Sequence, residues 1–369
     1  MMIEDQVMDA QERIGFRLRG LYNGYGYSRY RMGKFEEYDL YSRNKDFLFS
    51  DSVITFTDTN GRLMALKPDV TLSIIKNGRD NPGQIRKVYY HENVYRVTSA
   101  EDGFREQTQV GVECMGSVDG ACVAEVLKLA AESLKLCADE FVLEVSHLDI
   151  LSSFVDQIAP DAATREAILH CAGEKNLHGI RRICRENGIA EGAEEPLIQL
   201  LSLYGTPKSV MPKIRALAEE NGVGEAAAEL GRAVAGFAGT PMENKIRVDF
   251  SATGDTKYYN GIAFKGFISG IPGSVLSGGR YDRLMHKLGR KSGAIGFAVY
   301  LDLLSALRPE ASDRDADVLL LVPGEADPER VARAVEKLTA AGRSVSVQER
   351  IPAAGSFGEC IRLEEAETC

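Results

Sequence analysis

The sequence predicts an α+β fold: a mostly antiparallel sheet with flanking helices, interrupted by a helical insertion and followed by a small C-terminal β-α-β unit. Two observations predict it. Strand-like runs follow one another directly instead of alternating with helices, and between residues 152 and 240 Ala, Glu, Leu and Arg at helical spacing replace every strand signal. The length of 369 residues suits two or three domains. We therefore expect a main domain at 1–308, with its insertion at 152–240, and a short α/β domain at 309–369.

The first elements follow from periodicity and turn residues. Residues 6–23 place apolar side chains near one stripe and predict an amphipathic helix, which GYGYSRY ends before a strand begins. β-rich runs on both sides of Asp58-Thr59-Asn60-Gly61 predict a hairpin. The stretch LKPDVTLSIIKNG predicts a strand leading into a helix, with Pro68 and Asp69 in its first turn and Gly78 at its end.

The later elements are predicted in the same way. QIRKVYYHENVYRVT and REQTQVGVECMG are two strands joined by a polar loop, followed by the helix ACVAEVLKLAAESLKLC and the strand EFVLEVSHLDIL. After the insertion come the strands KIRVDFSA, YYNGIAFKGFI and SVLSGGRYD, and an apolar run at 294–299 that leads into a helix. The tail predicts a strand DVLLLVPG, a helix beginning at Asp327-Pro328 and a strand SVSVQE. Its last residues, ECIRLEEAETC, either complete a small sheet or are disordered.

Composition limits the classes of function. The net charge of -10 provides no overall field that would attract nucleic acid. The seven cysteines form no CxxC pair, which indicates reduced thiols, and the five histidines lack metal-ligand spacing. No window has the ~18 apolar residues of a membrane span, and the N-terminus does not read as a signal peptide. We expect a cytoplasmic protein with no membrane, metal or cofactor requirement.

Four polar residues form the main candidate site. Gln109 and Glu113 have even spacing on a predicted strand and so share one face, which is costly for a core strand unless the two are partnered. Asp69 and Thr71 come from another strand end. Together the four offer two carboxylates and two neutral hydrogen-bonding groups, a set that suits an α-ammonium group. For either acid taken alone, pairing with a nearby Arg is the favoured alternative.

Three other sets of residues allow a functional and a structural interpretation. The hydroxyls of Tyr258 and Tyr259 are suited to hold a polar ring such as imidazole, although residues alone favour an ordinary aromatic core. Arg96 either binds a carboxylate or phosphate or forms a surface salt bridge. The basic residues between Arg280 and Lys291 form either an anion or partner patch or a solvated helix face; we favour the latter for Arg283, Lys287 and Lys291.

Four segments resemble, in order and spacing, the catalytic domain of class II histidyl-tRNA synthetases over nearly all of residues 1–308. They are MALKPDVTLSIIKN, NVYRVTSAEDGFREQTQVGVECMG, TKYYNGIAFKGF, and SGGRYDRLMHKLG with AIGFAVYLDLL. The resemblance implies a class II synthetase-like sheet. It aligns Asp69 and Thr71 with a histidine-holding Pro-Glu-Gly-Thr segment, Gln109 and Glu113 with a Gln...Gly-Val-Glu strand, and Tyr258 and Tyr259 with two ring-facing tyrosines. Tyr281 is a further candidate for the imidazole.

The sequence departs from the synthetase pattern where ATP would react. The Arg-Gly-Leu-Asp-Tyr-Tyr motif is replaced by residues 254–259, GDTKYY, and Leu303 stands where an arginine would grip the γ-phosphate. Losing one such contact costs ~3–4 kcal/mol, or 10²–10³ in rate. Arg96 remains at a phosphate-binding position, but an acidic loop replaces the basic one beside it. The tail has one acidic β-α-β unit in place of an anticodon-binding domain.

A histidine pocket without ATP and tRNA machinery resembles the HisZ family of ATP phosphoribosyltransferase regulatory subunits. The resemblance implies a noncatalytic partner that activates the short-form catalytic subunit (HisG), binds free L-histidine for feedback inhibition, and does not bind tRNA. It also implies a regulatory dimer within a hetero-octamer. Because the catalytic arginine of the synthetases is missing here, we expect Arg96 to take the histidine carboxylate. The alternatives are a divergent but active histidine–tRNA ligase and a stand-alone amino-acid sensor.

Overall fold

The structure, a computed structural model, describes residues 8–44, 53–78, 83–97, 103–251, 258–304 and 314–368. The chain divides into two compact units, Met1–Leu307 and Arg308–Cys369. The predictions for residues 6–7, for most of the polar loop at 98–103, for 254–257 and for most of the linker before the tail concern residues outside the described ranges.

A nine-stranded sheet forms the centre of the first unit, in the order β1-β5-β6-β12-β11-β10-β7-β9-β8. Its strands are β1 Ser28–Arg29, β5 Ile85–Val97, β6 Phe104–Gly116, β7 Phe141–His147, β8 Tyr204–Gly205, β9 Ile246–Asp249, β10 Asn260–Ile268, β11 Leu276–Arg280 and β12 Gly293–Tyr300. Two neighbouring pairs, β1/β5 and β7/β9, are parallel, and the other pairs are antiparallel. The predicted α+β class with a mostly antiparallel sheet is confirmed.

A smaller sheet contains the predicted hairpin. Strands β3 Thr55–Thr57 and β4 Leu63–Leu66 pair antiparallel, and β2 Phe35–Glu37 pairs with the other edge of β4. The hairpin turn is stabilised by Asp58, whose Oδ1 accepts hydrogen bonds from the backbone N–H groups of Asn60 and Arg62, both at 2.8 Å. This is the local chemistry for which Asp is favoured in turns.

The helices flank the large sheet and form the insertion. Before the insertion they are α1 Ala10–Gly24, α2 Tyr38–Ser42, α3 Thr71–Asn77 and α4 Gly120–Cys137. In and beside the insertion they are α5 Leu148–Asp156, α6 Ala162–Gly173, α7 Leu177–Glu186, α8 Glu195–Ser202, α9 Pro207–Glu220 and α10 Gly224–Ala235. After it come α11 Asp282–Lys287 and α12 Leu301–Leu304. The predicted helical insertion therefore contains one short strand, β8.

Several predicted boundaries were wrong, and the first helix begins at Ala10, capped by Asp9, instead of at residue 6. Helix α3 begins at Thr71, so Pro68 and Asp69 precede it; Asp69 Oδ1 accepts from the backbone N–H of Leu72 at 2.8 Å and caps the helix from outside. The strand predicted through EFVLEVSHLDIL ends at His147, where α5 begins. Buried Leu148, Leu151 and Val155 follow helical spacing, and burial of that face overrides the local strand propensity.

The two faces of the large sheet carry separate hydrophobic clusters. Val110, Val112 and Cys114 of β6 point into the larger cluster, which includes α4 and most of the insertion helices. The other face carries a cluster rich in tyrosine, to which Tyr90 of β5 belongs. Because side chains alternate along β6, Gln109 and Glu113 lie on this tyrosine-rich face.

The second unit is a three-stranded parallel sheet in the order β14-β13-β15, with β13 Ala316–Leu321, β14 Val345–Gln348 and β15 Phe357–Arg362. Helix α13 Pro328–Ala340 connects β13 to β14, and α14 Leu363–Thr368 follows β15. Of the two alternatives for the last residues, the structure shows the completed sheet, since β15 pairs with β13. Leu363 and Ala366 of α14 are buried in the same cluster as Val318 and Leu338.

Within the described residues, no helix is long and apolar enough to cross a membrane.

Candidate functional site

All eight predicted site residues line a single cavity on the tyrosine-rich face of the large sheet. They are Asp69, Thr71, Arg96, Gln109, Glu113, Tyr258, Tyr259 and Tyr281. The open space among them is about 20 Å³, which holds roughly one water molecule. The site is therefore nearly closed, and a ligand the size of an amino acid requires side chains to move outward.

Strand register explains how Glu113 reaches the middle of the cavity. Glu113 of β6 lies opposite Gly296 of β12. A Cβ atom at position 296 would lie 1.8 Å from Oε2 of Glu113, so only glycine leaves space for the carboxylate over β12. Gly111 has the same effect for the ring of Tyr90, whose hydroxyl would lie 2.5 Å from an added Cβ. Both glycines allow a close approach that any side chain would block.

Glu113 is bound only by neutral donors. Its side chain is 2% exposed; Oε2 accepts from the hydroxyl of Tyr281 at 2.5 Å, and Oε1 accepts from Oγ1 of Thr71 at 2.7 Å. No ion pair to Glu113 occurs within the described ranges. The alternative that this acid pairs with an arginine therefore does not hold for the described part of the chain.

Burial dominates the electrostatics of Glu113. It raises the pKa of this carboxyl to about 8, the hydrogen bonds from Tyr281 and Thr71 act in the opposite direction, and the nearby Asp69 adds to the increase. Moving an unpaired carboxylate out of water is unfavourable, and a cation in contact with it removes much of that cost. Glu113 is thus suited to receive a positively charged ligand group.

Asp69 has partners already. Besides capping α3, its Oδ2 lies 3.7 Å from a terminal nitrogen of Arg96, and Arg96 Nε donates to the carbonyl of Pro68 at 2.7 Å. Burial raises the pKa of Asp69, and Arg96 and the backbone N–H groups of α3 oppose that increase. The arginine-pairing alternative therefore describes Asp69, which orients Arg96 at the side of the cavity.

Gln109 carries an unsatisfied donor. Its side chain is 3% exposed, and its Nε2 is buried with no hydrogen-bond partner among the described residues. A buried amide donor without a partner costs free energy, and a ligand acceptor in the cavity would recover it. Gln109 and Glu113 share one face of β6, with Gly111 between them, so one strand carries both an anionic group and a donor group.

Three tyrosines form an aromatic wall. The ring centroids of Tyr258 and Tyr259 are 4.7 Å apart, and those of Tyr258 and Tyr281 are 6.0 Å apart. Burial raises the pKa of all three hydroxyls well above the usual value, so they are neutral. The rings of Tyr258 and Tyr259 belong to the core cluster, as the structural interpretation predicts, and they also line the cavity.

Sequence reasoning missed three polar residues of the cavity: Tyr90, Ser277 and Tyr300. Ser277 Oγ and the hydroxyl of Tyr300 form a hydrogen bond of 2.5 Å. Tyr90 has the same strand parity as Arg96, and Ser277 precedes the glycine pair of β11. The pairing of β5, β6 and β12 would have identified Tyr90 and Tyr300, but pairing is a tertiary property.

The basic residues from 280 to 291 have structural partners. Arg280 pairs with Asp282 at 2.6 Å and with Glu229 at 3.3 Å. Arg290 donates to the carbonyls of Ile75, Lys76 and Gly78, and so satisfies the C-terminal end of α3. These arginines stabilise elements beside the site and do not form an anion patch.

At the position where a γ-phosphate arginine would lie, Leu303 is 39% exposed. Its neighbour Asp302 accepts a hydrogen bond from the backbone N–H of Thr108 at 2.7 Å. An apolar side chain beside a carboxylate provides no positive charge that could bind a triphosphate. The other departure from the synthetase pattern, at residues 254–257, lies outside the described ranges.

Comparisons with known proteins bear on the family and the fold. The model of the family named histidyl-tRNA synthetase matches residues 4–304. A histidyl-tRNA synthetase structure from Nostoc has a TM-score of 0.74 at 17% identity, covering 93% of this chain and 83% of that one. The predicted class II synthetase-like fold is confirmed.

Eight curated relatives, 24–29% identical, are named ATP phosphoribosyltransferase regulatory subunit. The protein from Alkaliphilus metalliredigens is 29% identical, with 87% of this chain and 84% of that protein covered. A Bacillus halodurans structure titled as an ATP phosphoribosyltransferase regulatory subunit/histidyl-tRNA synthetase has a TM-score of 0.75 at 23% identity, covering 95% and 93% of the two chains. The predicted resemblance is confirmed: the chain belongs to the histidyl-tRNA synthetase family and, within it, is similar to the regulatory subunits of ATP phosphoribosyltransferase.

Proposed function

We propose that this chain is a noncatalytic regulatory subunit of ATP phosphoribosyltransferase, and that it binds free L-histidine in the cavity around Glu113. The similarity to proteins of that name supports the first part. The observation that carries the second is the fully buried carboxylate of Glu113, which only neutral hydroxyls contact. The carboxylate of Glu113 has no cationic partner among the described residues, and the α-ammonium group of an amino acid would supply one.

The other groups complete an amino-acid site. Glu113 and Thr71 receive the ammonium, with Asp69 adding negative charge at the rim, and the amide of Gln109 bonds an oxygen of the ligand. Arg96, oriented by Asp69, takes the carboxylate. Tyr258, Tyr259 and Tyr281 bound the imidazole, and their neutral hydroxyls serve either of its nitrogens.

The small free volume supports a regulatory role for binding. About 20 Å³ is far less than an amino acid occupies, so histidine displaces tyrosine side chains when it enters. A ligand shifts an equilibrium only by its difference in affinity for two states. A cavity that is closed when empty and open when filled offers two such states.

The partner proposed is the short-form catalytic subunit, with dimers of this chain inside a hetero-octamer. A Thermotoga maritima structure titled ATP phosphoribosyl transferase (HisG:HisZ) complex has a TM-score of 0.61 to this chain at 16% identity, which shows the fold alone. Reconstitution tests the partner. Adding this chain to a purified short-form catalytic subunit should raise its rate, and histidine should lower the rate of the complex.

Calorimetric titration of the isolated protein with L-histidine tests the site. We expect binding to wild type, and at least a tenfold weaker Kd for Glu113→Gln, because the charge on the ammonium loses its partner. Imidazole propionate, which lacks the ammonium, should bind wild type and Glu113→Gln alike. Tight histidine binding that is unchanged by Glu113→Gln and by Gln109→Ala would rule out the assignment.

The principal alternative is a divergent histidine–tRNA ligase. It predicts histidine-dependent exchange of pyrophosphate into ATP, for which Leu303 provides no phosphate contact. Exchange above background with the purified chain would favour the ligase and overturn the noncatalytic proposal.

A further inference from the structure

A second cavity, of about 390 Å³, lies at the β1 side of the large sheet and shares no lining residue with the candidate site. Its polar side chains converge from several elements: α1, β1, the segments around β2 and β4, and β5. They are Arg19, Arg29, Lys34, Lys67, His91, Glu92 and Asn93. In a chain of net charge -10, such a local excess of basic groups is unusual.

The carboxylates nearby do not neutralise this excess. Glu92 is engaged with Lys67, whose Nζ lies 2.5 Å from its Oε2. Glu106, a carboxylate beside the cavity, accepts hydrogen bonds from Asn93 and from Tyr95. Among the described residues that line the cavity there are therefore four permanent cations and one carboxylate.

Three of these cations lack ion-pair partners. Arg19, Arg29 and Lys34 take part in no salt bridge within the described part of the chain. In addition, Nε of Arg19 is buried without a hydrogen-bond partner among those residues. A guanidinium donor that is both buried and unsatisfied is costly, and an anion in the cavity would satisfy it.

The pKa of His91 is also affected by the positive charges of this cavity. Burial is the main cause that lowers the pKa of its imidazole. The charges of Arg19 and Arg29 lower this pKa further, while Glu92 acts in the opposite direction. Burial and the neighbouring charges thus favour the neutral imidazole, whose single N–H adds a donor to the cavity without adding a charge.

A larger neighbouring cavity, of about 710 Å³, shows the contrast. It shares Arg29, but Lys87 is paired with Glu125 at 2.7 Å, and Arg290 donates to backbone carbonyls of the α3 end. Arg86 stacks over the ring of Tyr30 at 5.6 Å. Arg19 of the smaller cavity has a similar contact with the ring of Phe16. Within the described residues, two of the four cations of the larger cavity bind oxygen atoms of the protein, against one of four in the smaller cavity, so the excess is greater in the smaller one.

We propose that this basic cavity binds a small phosphorylated anion of the diphosphate class through Arg19, Arg29 and Lys34. Guanidinium groups bind phosphate oxygens in bidentate fashion, and a lysine adds a point charge. The volume lies within the range of small-molecule sites. A diphosphate presents enough oxygens to engage all three cations together. This proposal is independent of the histidine site.

Calorimetric titration of the full chain with inorganic pyrophosphate tests the proposal. Wild type should bind, and Arg19→Gln/Arg29→Gln should weaken binding at least tenfold. The control is Arg181→Gln/Arg182→Gln on α7, which removes the same charge from an exposed face outside the cavity. Equal losses in both double variants, or no pyrophosphate binding by wild type together with none of ADP, would overturn the site.

Two further measurements keep the result interpretable. If the double variant is unstable, Arg29→Gln alone is used, since Arg29 is exposed and its loss should not affect folding. Titration with ADP separates the sources: equal affinity for pyrophosphate and ADP assigns the site to the diphosphate group, and much tighter ADP assigns it to a nucleotide. Histidine affinity should be unchanged in both double variants, so failure here is distinguishable from failure of the histidine site.

Discussion

At the scale of single residues, Glu113 is both ionisable and buried, a combination that is unfavourable while the cavity is empty. The folded chain buries this carboxyl completely and gives it only neutral donors, which raises its pKa to about 8. A site that is unfavourable for the native state alone becomes favourable once a cationic ligand arrives. The arrangement that favours ligand binding therefore lowers the stability of the empty protein, as is common for binding sites.

Replacing Glu113 by Gln should stabilise the empty protein in a pH-dependent way. The folded pKa lies above that of the unfolded chain, so the stabilising contribution of this group is complete at low pH and is lost as the pH rises through 8. Glu113→Gln should therefore raise the free energy of unfolding by roughly 1–3 kcal/mol at pH 8.5 and by much less at pH 5. Denaturant unfolding at both pH values measures this. A variant that is less stable than wild type at pH 8.5 would contradict the burial argument.

The affinity for histidine should rise with pH between 7 and 8. The ligand ammonium requires an ionised Glu113, and the ionised fraction increases about fivefold over this interval for a pKa of about 8. Binding near pH 7 should therefore release close to one proton. Titration in two buffers of different ionisation enthalpy measures the release, and Glu113→Gln should show neither effect.

At the scale of elements, β6 organises the site. It separates Val110 and Val112 on one face from Gln109 and Glu113 on the other, and β12 holds a glycine opposite the acid. Helix α3 completes the arrangement from outside the sheet, because Thr71 at its start reaches Glu113 while Asp69 caps it. The end of α3 is in turn held by Arg290.

Gly296→Ala should disrupt the site through β12. The added Cβ would lie 1.8 Å from Glu113 Oε2 and 2.4 Å from the carbonyl of Val112, and the latter is backbone that moves little. We expect a loss of about 1–3 kcal/mol in stability and the loss of histidine binding. Thermal unfolding and calorimetry measure the two effects.

Gly20→Ala is the matched control. Position 20 lies inside α1, and an added Cβ there meets no atom within 4 Å. Since Ala is a better helix former than Gly, this variant should be neutral or stabilised by about 0.5–1 kcal/mol. A similar loss in both variants would indicate that crowding at Gly296 is not the cause.

At the scale of the whole molecule, a ligand that enters a closed cavity should stabilise the fold that contains it. Histidine at 100-fold its Kd should raise the free energy of unfolding by about 2.7 kcal/mol. Scanning calorimetry should show a rise in the Tm of wild type with histidine and a clearly smaller rise for Glu113→Gln, whose affinity for histidine is expected to be weaker. An equal rise in both would place histidine outside this cavity.

Sequence reasoning predicted most elements and selected eight residues that line one cavity, but it missed Tyr90, Ser277 and Tyr300 of that cavity. Alternation along β6 places Gln109 and Glu113 on one face, and this needs only the period of a strand. Asp69, Arg96 and the tyrosines were joined to them by resemblance to a family, since nothing local links residues so far apart in the chain. The start of α3 and the end of β7 were misplaced because buried faces, rather than local propensity, determine where those elements change.

The sequence by itself determined the α+β class and the helical insertion, which are properties of composition and periodicity. The loss of cationic residues where a triphosphate would react followed from single positions compared with the synthetase pattern that the chain resembles. Only the tertiary structure decided that Glu113 has no charged partner while Asp69 has one, that Gly296 makes room for the carboxylate, and that Arg19, Arg29 and Lys34 meet in one basic cavity. Each of these depends on distances between segments remote in sequence, which are set when the strands pair and their faces are buried.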